Sequence, residues 1–450
     1  MYIAVDDTDS RSGNCTTYLA TEIVRSLDGI DLIGNPRLVR LNPAVPWKTR
    51  GNASIVLCVG TGAGKRKKIG EIDGKDVFCY EKLSEEPDAD KLLKAVVPVV
   101  LANREPDAES GVIISERKPN ESFYRMGVQT ILTLNPIKEE AERIDAKTFT
   151  MDTGIGLIGA LCGMAWVPRD STYELLAYRR RDRWGTERSV KPETIRSMDS
   201  KFTGTFNSWE ERYQKVTMVP STPCPVLYGI RGDDEDELPN AHASIASEGA
   251  DRWIIFLTNQ GTDDHIIVNA EELVPDQSYL IPGTVKEKAR RLKGGHVFMD
   301  IDTEYGTITC GAYEPSKEFR MLFDNLLPGD RLEVIGELRD DPRTLNVEKI
   351  NVTELVKAEK KISNPICTKC NGRMKSVGKG KGYRCRECHT KSREPETEMC
   401  FRSIALGWYE PPAAARRHLS KPLKRMGVEQ PVEFVNQRTE QPTIIYRVKK

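Results

Sequence analysis

The segment that most constrains this chain is an acidic cluster directly after its first strand-like run. Ile3-Ala4-Val5 leads into Asp6-Asp7-Thr8-Asp9-Ser10, so three carboxylates and two hydroxyls fall within five residues. A fold that gathers these groups at one strand end is costly unless a cation or a ligand neutralises them. Helix capping by Asp or Ser accounts for one or two of the groups but not for three carboxylates. Hard oxygen ligands at this density suit Mg²⁺, so the cluster predicts a Mg²⁺ or phosphate site.

A helix is expected to follow the acidic cluster. Apolar side chains at Leu19, Ile23, Val24 and Leu27 form one helical stripe, which predicts a helix over residues 16–27. Thr16 and Thr17 stand at its start, where their hydroxyls are caps, metal ligands or a phosphoryl acceptor. Strand-like runs over 54–59 and 111–114 continue the alternation. This order predicts an α/β domain over residues 1–150.

Two glycine-rich segments have the look of nucleotide-binding loops but depart from them. In Gly60–Lys68, Val59 occupies the position of the first glycine and Arg66 that of the serine or threonine, so a basic surface turn is expected. Gly154-Ile155-Gly156-Leu157-Ile158-Gly159 lacks a clear preceding strand and an acid about 20 residues later. It predicts a glycine-rich helix start packed close to its neighbour, whose free N–H groups could receive a phosphate.

Composition bounds the rest of the interpretation. At 450 residues, the chain is long enough for about three domains of roughly 150 residues. The net charge is zero, so nucleic-acid binding has to be argued from local clusters. No apolar run approaches the ~20 residues of a membrane span, and the N-terminus is not a secretory signal. The scattered cysteines outside one cluster fit a reducing cytoplasm, where we expect the protein to act.

Four cysteines form that cluster. Cys367-Thr368-Lys369-Cys370 and Cys385-Arg386-Glu387-Cys388 are two Cys-x2-Cys pairs that predict a tetrahedral zinc site within residues 360–395. Residues 360–393 hold eleven lysines or arginines and one acid, a net charge of +10. Such a patch attracts phosphates, and Tyr383 within it can stack on a base. The strand-length runs over 275–358 predict a small β-barrel of the OB-fold kind.

These motifs, taken in order, resemble the archaeal family of agmatidine (2-agmatinylcytidine) synthetases, which act on isoleucine tRNA. The resemblance runs from end to end and rests on the acidic and cysteine motifs above together with Cys15-Thr16-Thr17-Tyr18, Arg40-Leu41-Asn42-Pro43, Lys48-Thr49-Arg50-Gly51-Asn52, Gly156–Leu161, Thr258-Asn259-Gln260-Gly261-Thr262-Asp263, Gly294-Gly295-His296-Val297, Tyr313-Glu314-Pro315, Tyr409-Glu410-Pro411-Pro412 and Arg416-Arg417-His418-Leu419.

The resemblance implies a multidomain protein of mixed α/β and α+β class. An ATP-using kinase-like domain over 1–150 would be followed by a ferredoxin-like domain over 151–270, an OB-fold over 275–358, a zinc ribbon over 360–395 and a basic tail over 396–450. It implies an ATP-dependent ligase that phosphorylates the C2 oxygen of the wobble cytidine in an isoleucine tRNA with a CAU anticodon. Agmatine then replaces that oxygen. ATP, Mg²⁺ and Zn²⁺ are the expected cofactors, and the oligomeric state is left open.

Site residues follow from the same resemblance. Mg²⁺ is assigned to Asp7 and Asp9 with support from Asp6, and Thr16 is the residue expected to carry phosphate, as a relay or as a record of the reaction. The expected ATP-binding residues are Asp7, Thr8, Asp9, Ser10, Thr16, Thr17, Lys48, Arg50, Gly51 and Asn52. Agmatine is expected at Gly156, Asn259, Asp263 and Asp264. Two basic segments, and not the resemblance, supply the residues expected to bind tRNA. The first is Tyr178–Trp184, with Arg179, Arg180 and Arg183, whose alternative interpretation is an exposed turn. The second is the cysteine-rich segment, with Lys369, Lys379, Lys381, Tyr383 and Arg384.

Two other functions fit parts of the sequence. A non-catalytic protein that binds tRNA or single-stranded nucleic acid would need the OB-fold and ribbon but has no use for the acidic cluster. A different tRNA-modifying kinase on the same scaffold would keep the cluster and change the amine substrate.

Overall fold

The structure is a computed structural model that describes residues 1–428 except Ser12, Arg50, Lys379 and Phe401. Two compact units are formed. The first comprises Met1–Ile281, Ile335–Lys349 and the described residues from Glu410 onward, and the second comprises Pro282–Val334 and Ile350–Tyr409. Within the described residues no helix is long and apolar enough to cross a membrane.

The N-terminal part of the first unit alternates strands and helices, as predicted. Its elements are β1 Tyr2–Asp6, α1 Thr16–Ser26, β2 Asp31–Ile33, β3 Arg37–Arg40, β4 Ala53–Ile72, β5 Lys75–Glu85, α2 Ala89–Asn103, β6 Gly111–Ser115, α3 Glu121–Gln129, α4 Leu134–Arg143 and β7 Lys147–Thr150.

The period-2 alternation of β1 sends its apolar side chains into two different cores. Ile3 and Val5 pack with α1 and α2 on one face of the sheet. Ala4 packs on the other face against the helices α3, α4 and the following α5, Ile155–Ala165. Because both faces are covered, β1 is apolar throughout until it reaches Asp6.

The expectation of a basic surface turn over Gly60–Lys68 is wrong. These residues continue β4, which pairs antiparallel with β5, and three irregularities interrupt the register of this pair. Exposure along the hairpin leaves its cations in solvent, and Lys67 forms ion pairs of 2.9 Å with Glu235 and 2.6 Å with Asp236. Glycines and lysines on a bulged, exposed strand hide the period-2 signal that identifies a strand.

The rest of the first unit contributes four further strands to the same sheet, and its other strands pair elsewhere. After α5 come β8 Thr172–Tyr178, α6 Pro192–Lys201, β9 Thr205–Phe206, β10 Trp209–Glu210, β11 Lys215–Val216, β12 Val226–Gly232, α7 Leu238–Ala243, β13 Arg252–Thr258 and β14 Ile266–Val268. The main strand order of the eleven-stranded sheet is β7-β6-β1-β4-β3-β13-β8-β12-β9. Helices α6 and α7 cover β8, β12 and β13 through a third core.

A second sheet closes into a five-stranded barrel. Its elements are β15 Gln277–Val285, β16 Arg290–Arg291, β17 Val297–Thr303, β18 Gly306–Ala312, α8 Phe319–Asn325, β19 Arg331–Arg339 and β20 Thr344–Glu354. The order β15-β19-β20-β18-β17 returns to β15, which completes the closure. Alternate residues of β17, namely Val297, Met299 and Ile301, are fully buried. Closure leaves these strands without a free edge.

The cysteine-rich segment and the chain beyond it carry β21 Glu359–Ser363, β22 Lys375–Ser376, β23 Tyr383–Arg384, β24 Lys391–Ser392, β25 Glu396–Met399, β26 Gly407–Tyr409 and α9 Leu423–Met426. The segment predicted as a basic tail over 396–450 is therefore structured as far as residue 428. Strand β25 pairs with β21 and β26 with β20. Residues 429–450 lie outside the described part of the chain.

One buried carboxylate stabilises the second unit, and it provides a test. Asp330 is fully buried and accepts hydrogen bonds from the backbone N–H groups of Leu327 at 2.7 Å and Val356 at 2.8 Å, and from Arg402 at 2.9 Å. We expect Asp330→Ala to destabilise this unit by about 3–5 kcal/mol, because it leaves the Arg402 charge without its buried partner. Hydrogen exchange of β19 and β20 peptides in the full chain should accelerate accordingly.

The control for this substitution is Asp324→Ala. Asp324 forms an ion pair with Arg291 in which both side chains are more than a third exposed, and such pairs contribute less than about 1 kcal/mol. Equal acceleration of exchange in the two variants would contradict the role given to Asp330.

Candidate active site and zinc centre

A cavity of about 570 Å³ in the first unit gathers most of the predicted ATP residues. It lies at the end of β1 and receives side chains from the loop between β3 and β4, from α5 and from β8 and β12. Of the predicted residues, those lining it are Asp6, Asp7, Asp9, Thr16, Thr17, Lys48, Gly51 and Asn52. Arg50 lies outside the described residues. Thr8 and Ser10 are buried behind this wall, where the Thr8 hydroxyl donates to the Thr16 hydroxyl at 3.1 Å.

The acidic cluster is crowded and partly buried. Asp6 accepts the backbone N–H of Asp7 at 2.7 Å, and the Thr49 hydroxyl donates to Asp9 at 3.0 Å. Burial first and the Asp7 charge second hold the pKa of Asp6 well above its ordinary value. Burial and the Asp9 charge raise the pKa of Asp7 to about 6. Carboxylates that resist ionisation together form a donor set that fits a hard divalent cation.

Helix α5 approaches Asp6 so closely that only glycine fits at the contact. A Cβ on Gly159 would lie 1.5 Å from Asp6 Oδ2, and one on Gly156 would lie 2.3 Å from the Gly111 nitrogen. The predicted close packing of the glycine-rich helix start is thus confirmed. It explains why the Asp6 carboxylate is partly desolvated although it lines the cavity at the end of a strand.

The structure rules out capping as the role of the two threonines. The N-cap of α1 is Cys15, with no hydrogen bond from its side chain to the helix backbone, and Thr16 and Thr17 occupy the first turn. The Cys15 thiol lies 3.0 Å from the Thr17 hydroxyl. Both threonines line the cavity, and metal ligation or phosphoryl acceptance by their hydroxyls stays a prediction.

Three basic side chains that were not assigned to the site also line the cavity. They are Arg40 at the end of β3, Arg231 in β12 and His418 in the segment after β26. Arg40 and His418 belong to sequence motifs that were given no chemistry, and Arg231 belongs to none of the motifs. Lys48, which was assigned, turns its ammonium toward backbone carbonyls of its own loop, including Val45 at 3.4 Å, and burial lowers its pKa.

The residues predicted for agmatine are not brought into this cavity. Asp263 forms an ion pair with the fully buried Lys349 and accepts the backbone N–H of Lys421 at 2.7 Å. Asp264 accepts the Tyr124 hydroxyl at 2.5 Å. A guanidinium ligand would have to displace these partners. Gly156 faces the Gly111 backbone, and the Asn259 side chain bonds to the Arg40 backbone.

The three arginines predicted for tRNA separate into two kinds. Arg179 is 1% exposed, pairs with Glu248 at 2.6 Å and donates to the Thr186 carbonyl at 2.7 Å. Its guanidinium therefore bonds to groups inside the protein. Arg180 and Arg183 are exposed.

The four cysteines converge in the second unit. The Sγ atoms of Cys367, Cys370, Cys385 and Cys388 lie within 4.8 Å of one another, and two pairs are 3.3 Å apart. A tetrahedral zinc site with Zn–S bonds of about 2.3 Å needs S–S separations of about 3.8 Å, so the cluster fits zinc. Lys369, Lys381 and Arg384 are exposed around it. Lys379 lies outside the described residues.

Comparisons with known proteins agree with this architecture. Family models match the TiaS TCKD domain over residues 2–153, the TiaS FLD domain over 154–265, an OB-fold nucleic acid binding domain over 279–355 and the TiaS C-terminal zinc ribbon domain over 364–404. They confirm the predicted fold classes, namely an N-terminal α/β domain, a ferredoxin-like domain, an OB-fold and a zinc ribbon.

Similar proteins cover almost the whole chain. TiaS of Archaeoglobus fulgidus, a 2-agmatinylcytidine synthetase of isoleucine tRNA, is 37% identical over 95% of this chain and 98% of its own. The enzyme of Methanocaldococcus jannaschii is 34% identical over 94% and 98%. A complex of TiaS with isoleucine tRNA and ATP has a TM-score of 0.81 at 36% identity. A complex of TiaS with isoleucine tRNA, AMPCPP and agmatine has a TM-score of 0.80 at 34% identity, and each structure covers 95% of this chain and 98% of the other.

The zinc centre can be tested by metal analysis of purified protein. We expect about one zinc ion per chain, and close to none in Cys385→Ser, because a tetrahedral structural site does not close with three thiolates. Cys400→Ser is the matched control, since Cys400 is an exposed cysteine outside the cluster. Equal zinc content in all three proteins would contradict the assignment.

Proposed function

The chain belongs to the TiaS family of isoleucine-tRNA 2-agmatinylcytidine synthetases, and we propose that ATP meets the wobble cytidine in the cavity beside Asp7. The protein is an ATP-dependent ligase that joins agmatine to a cytidine of isoleucine tRNA. One observation carries the assignment of the site: three carboxylates and the Thr16 hydroxyl line one cavity at a strand end.

The reaction explains why these residue types are needed. The C2 oxygen of cytosine is a poor leaving group until it carries a phosphoryl group, after which an amine can displace it as phosphate. Phosphoryl transfer depends on positioning and charge neutralisation more than on covalent help from the protein. The target base has to leave the anticodon stack to enter such a cavity.

The residues on each side of the cavity have different proposed roles. Asp7 and Asp9 hold Mg²⁺, which supplies charge neutralisation for the phosphates, and Asp6 supports them from the α5 side. Thr16 is the residue that carries phosphate, either as a relay to the cytidine or as a record of the reaction, and the Thr8 hydroxyl donates a hydrogen bond to its hydroxyl. Backbone and side-chain groups of the loop between β3 and β4 contact the nucleotide, with Lys48, Gly51 and Asn52 lining the cavity and Arg50 assigned from the resemblance alone.

tRNA binding is proposed for exposed cations distant in sequence from the acidic cluster. Around the zinc site these are Lys369, Lys381 and Arg384, with Lys379 assigned by sequence, and Tyr383 offers a stacking surface. Residues 360–393 carry a net charge of +10, and such a segment releases counterions when it binds a phosphate backbone. In the first unit, Arg180 and Arg183 are proposed as further contacts.

The proposed domain limits are those predicted from the sequence, 1–150, 151–270, 275–358 and 360–395. We propose that the protein acts in the cytoplasm, where its tRNA substrate is found. No disulfide joins its eleven cysteines, all of which lie in the described part of the chain.

Asp7→Asn tests the assignment of the site. Asp7 adopts a left-handed conformation with φ 53°, which Asn tolerates, so the loop should fold. We expect wild-type protein with Mg²⁺-ATP, agmatine and unmodified isoleucine tRNA to yield an agmatine adduct of cytidine by nucleoside mass spectrometry. The variant should lose activity by about 10³-fold or more, the loss expected when a ligand of the metal used in phosphoryl transfer is removed. It should still bind tRNA.

Glu109→Gln is the control for Asp7→Asn. Glu109 is also a carboxylate near Asp7, but it bonds to Thr153 at 2.9 Å and does not line the cavity. Parallel loss of activity and tRNA binding in Asp7→Asn would make the cluster structural. Absence of any adduct from the wild-type protein would contradict the function itself.

The pKa of Asp7 gives a pH dependence. Because burial raises that pKa from 3.8 to about 6, the carboxylate binds a proton at acid pH that Mg²⁺ has to displace. Mg²⁺ affinity should fall as the pH falls through about 6, by roughly tenfold per pH unit. Calorimetric titrations between about pH 5 and about pH 8 measure this, and Asp7→Asn should release fewer protons per ion bound. An affinity independent of pH would contradict the role of Asp7.

A further inference from the structure

His418 is carried into the cavity by a chain segment that follows the second unit in sequence. The carbonyl of His418 accepts the N–H of Gly261 at 2.8 Å, and that of Leu419 accepts the N–H of Asp263 at 2.8 Å. These bonds fix the segment on the loop after β13. The His418 side chain is exposed and lines the cavity, so a ligand there can reach it.

The imidazole of His418 is neutral and presents an N–H group. Its Nδ1 lies 2.9 Å from Arg231 Nη2, and because a guanidinium only donates, Nδ1 accepts. The Arg40 charge, desolvation by the surrounding cavity wall and the Arg231 charge hold the pKa of His418 well below its ordinary value, although part of the ring is open to the cavity. The proton of the neutral ring is therefore on Nε2. This atom is a hydrogen-bond donor that adds no charge between two cations.

The two guanidinium groups beside this imidazole have one hydrogen-bonded carboxylate between them. Arg231 pairs with Glu174 at 2.9 Å, and the other carboxylate oxygen of Glu174 accepts from Gln260. Arg40 has no comparable partner among the described residues. Its Nη1 contacts the Gly51 carbonyl at 3.4 Å, and its Nε has no hydrogen-bond partner. Glu174 and, more weakly, Asp9 act on the Arg40 charge without a hydrogen bond to it, so Arg40 keeps donors for a ligand.

We infer that Arg40, Arg231 and His418, the arginine–histidine cluster, form an anion subsite that binds phosphate oxygens during the reaction. The inference rests on the proposed function and extends it, since none of the three residues was assigned a role above. Guanidinium groups bind phosphate oxygens through charge-assisted hydrogen bonds, and the Nε2–H of His418 adds a neutral donor. A Cβ on Gly51 would lie 2.3 Å from Arg40 Nη1, so glycine is needed for the loop to approach the cluster.

A layer of polar side chains holds the cluster in place. Asn259 accepts the backbone N–H of Arg40 at 2.7 Å and donates to its carbonyl at 2.9 Å, which fixes the strand end that carries the guanidinium. A chain of hydrogen bonds extends to the imidazole. Gln260 and Arg231 both donate to the Glu174 carboxylate, and Arg231 also donates to His418. Asn259 and Gln260 are positioning residues, and the polar motif that contains them builds the cluster instead of contacting ligand.

In both bond-forming steps negative charge lies on phosphate oxygens, where the arginine–histidine cluster can stabilise it. In the first step a P–O bond of ATP breaks, the phosphoryl group bonds to the cytosine O2, and the nucleotide leaves with the electron pair. In the second step the amine of agmatine bonds to C2 and loses a proton, and the C2–O bond breaks as phosphate leaves. Donors held in place before the reaction stabilise such charge without reorganising.

Two substitutions of His418 distinguish its hydrogen bond to phosphate from its hydrogen bond with Arg231. His418→Gln retains a donor near the Nε2 position, and His418→Asn retains an acceptor near Nδ1 but loses the donor. We expect transfer of radiolabelled phosphate from ATP to tRNA to fall about 10–100-fold in His418→Asn and by less than about threefold in His418→Gln, as for loss of one charge-assisted hydrogen bond. Lys421→Gln, in the same segment but outside the cavity, should be unaffected.

Equilibrium binding by the full chain identifies whose phosphates the cluster holds. Weaker binding of Mg²⁺-ATP by His418→Asn and Arg40→Lys without tRNA would assign the phosphates of ATP. Weaker binding of tRNA without ATP would assign its backbone. Loss of transfer with both affinities kept would assign the phosphoryl group in transit. Each of these results supports an anion subsite, and the ATP measurement is valid even if the protein fails to form agmatidine.

Two results would overturn the inference. In one, His418→Asn and Arg40→Lys transfer phosphate and bind ATP and tRNA like the wild type. In the other, His418→Gln and Lys421→Gln lose as much activity as His418→Asn while thermal unfolding temperatures fall together, which would reduce the cluster to a support for the segment.

Discussion

The parallel pairing of β13 with β3 is the contact on which the site depends. Leu257 aligns with Arg37 and Thr258 with Leu38, so strands separated by more than 200 residues become neighbours in one sheet. Beyond the last paired residue, the Asn259 amide continues the pattern by bonding to both backbone groups of Arg40. This join brings β8 and β12, with Glu174 and Arg231, to the cavity at the end of β1. The N-terminal half of the sheet supplies the acidic cluster and Arg40, and the other half supplies Glu174 and Arg231.

A second constraint is the distance between α5 and the sheet. Gly156 and Gly159 let the helix approach Gly111 and Asp6 more closely than any side chain would permit. The Asp6 carboxylate is half-buried as a result, and desolvation is the largest cause of its raised pKa. The same packing therefore permits a close contact between helix and sheet, but it raises the free energy needed to ionise the Asp6 carboxylate beside the helix. The proposed divalent cation would relieve that cost on binding, which would couple the stability of this corner to its ligand.

Sequence patterns predicted the features that depend on residues close together in the chain. The strand before the acidic cluster, the α1 helix, the close-packed glycine helix and the four thiolates all follow from neighbours within about 20 residues. The contribution of Arg40 and His418 did not follow, because it depends on side chains brought together from positions 40, 174, 231, 260 and 418. A lone arginine at a strand end and a histidine in a basic run carry no local signal. The length of β4 was missed for another reason, since its exposed half has no apolar alternation.

Charge placement shows why composition was a poor guide to RNA binding. The segment after β26 looks basic in sequence, yet its cations pair with acids of the first unit: Arg416 with Glu410, Arg417 with Glu348, Lys421 with Asp170 and Arg425 with Asp233. These pairs neutralise the cations of the segment and leave little charge for a ligand. Residues 360–393 contain one acid for eleven cations, so most of their charge has no internal partner to neutralise it. A chain of zero net charge thus presents a strongly basic segment to polyanions, and its attraction for tRNA should weaken steeply with salt.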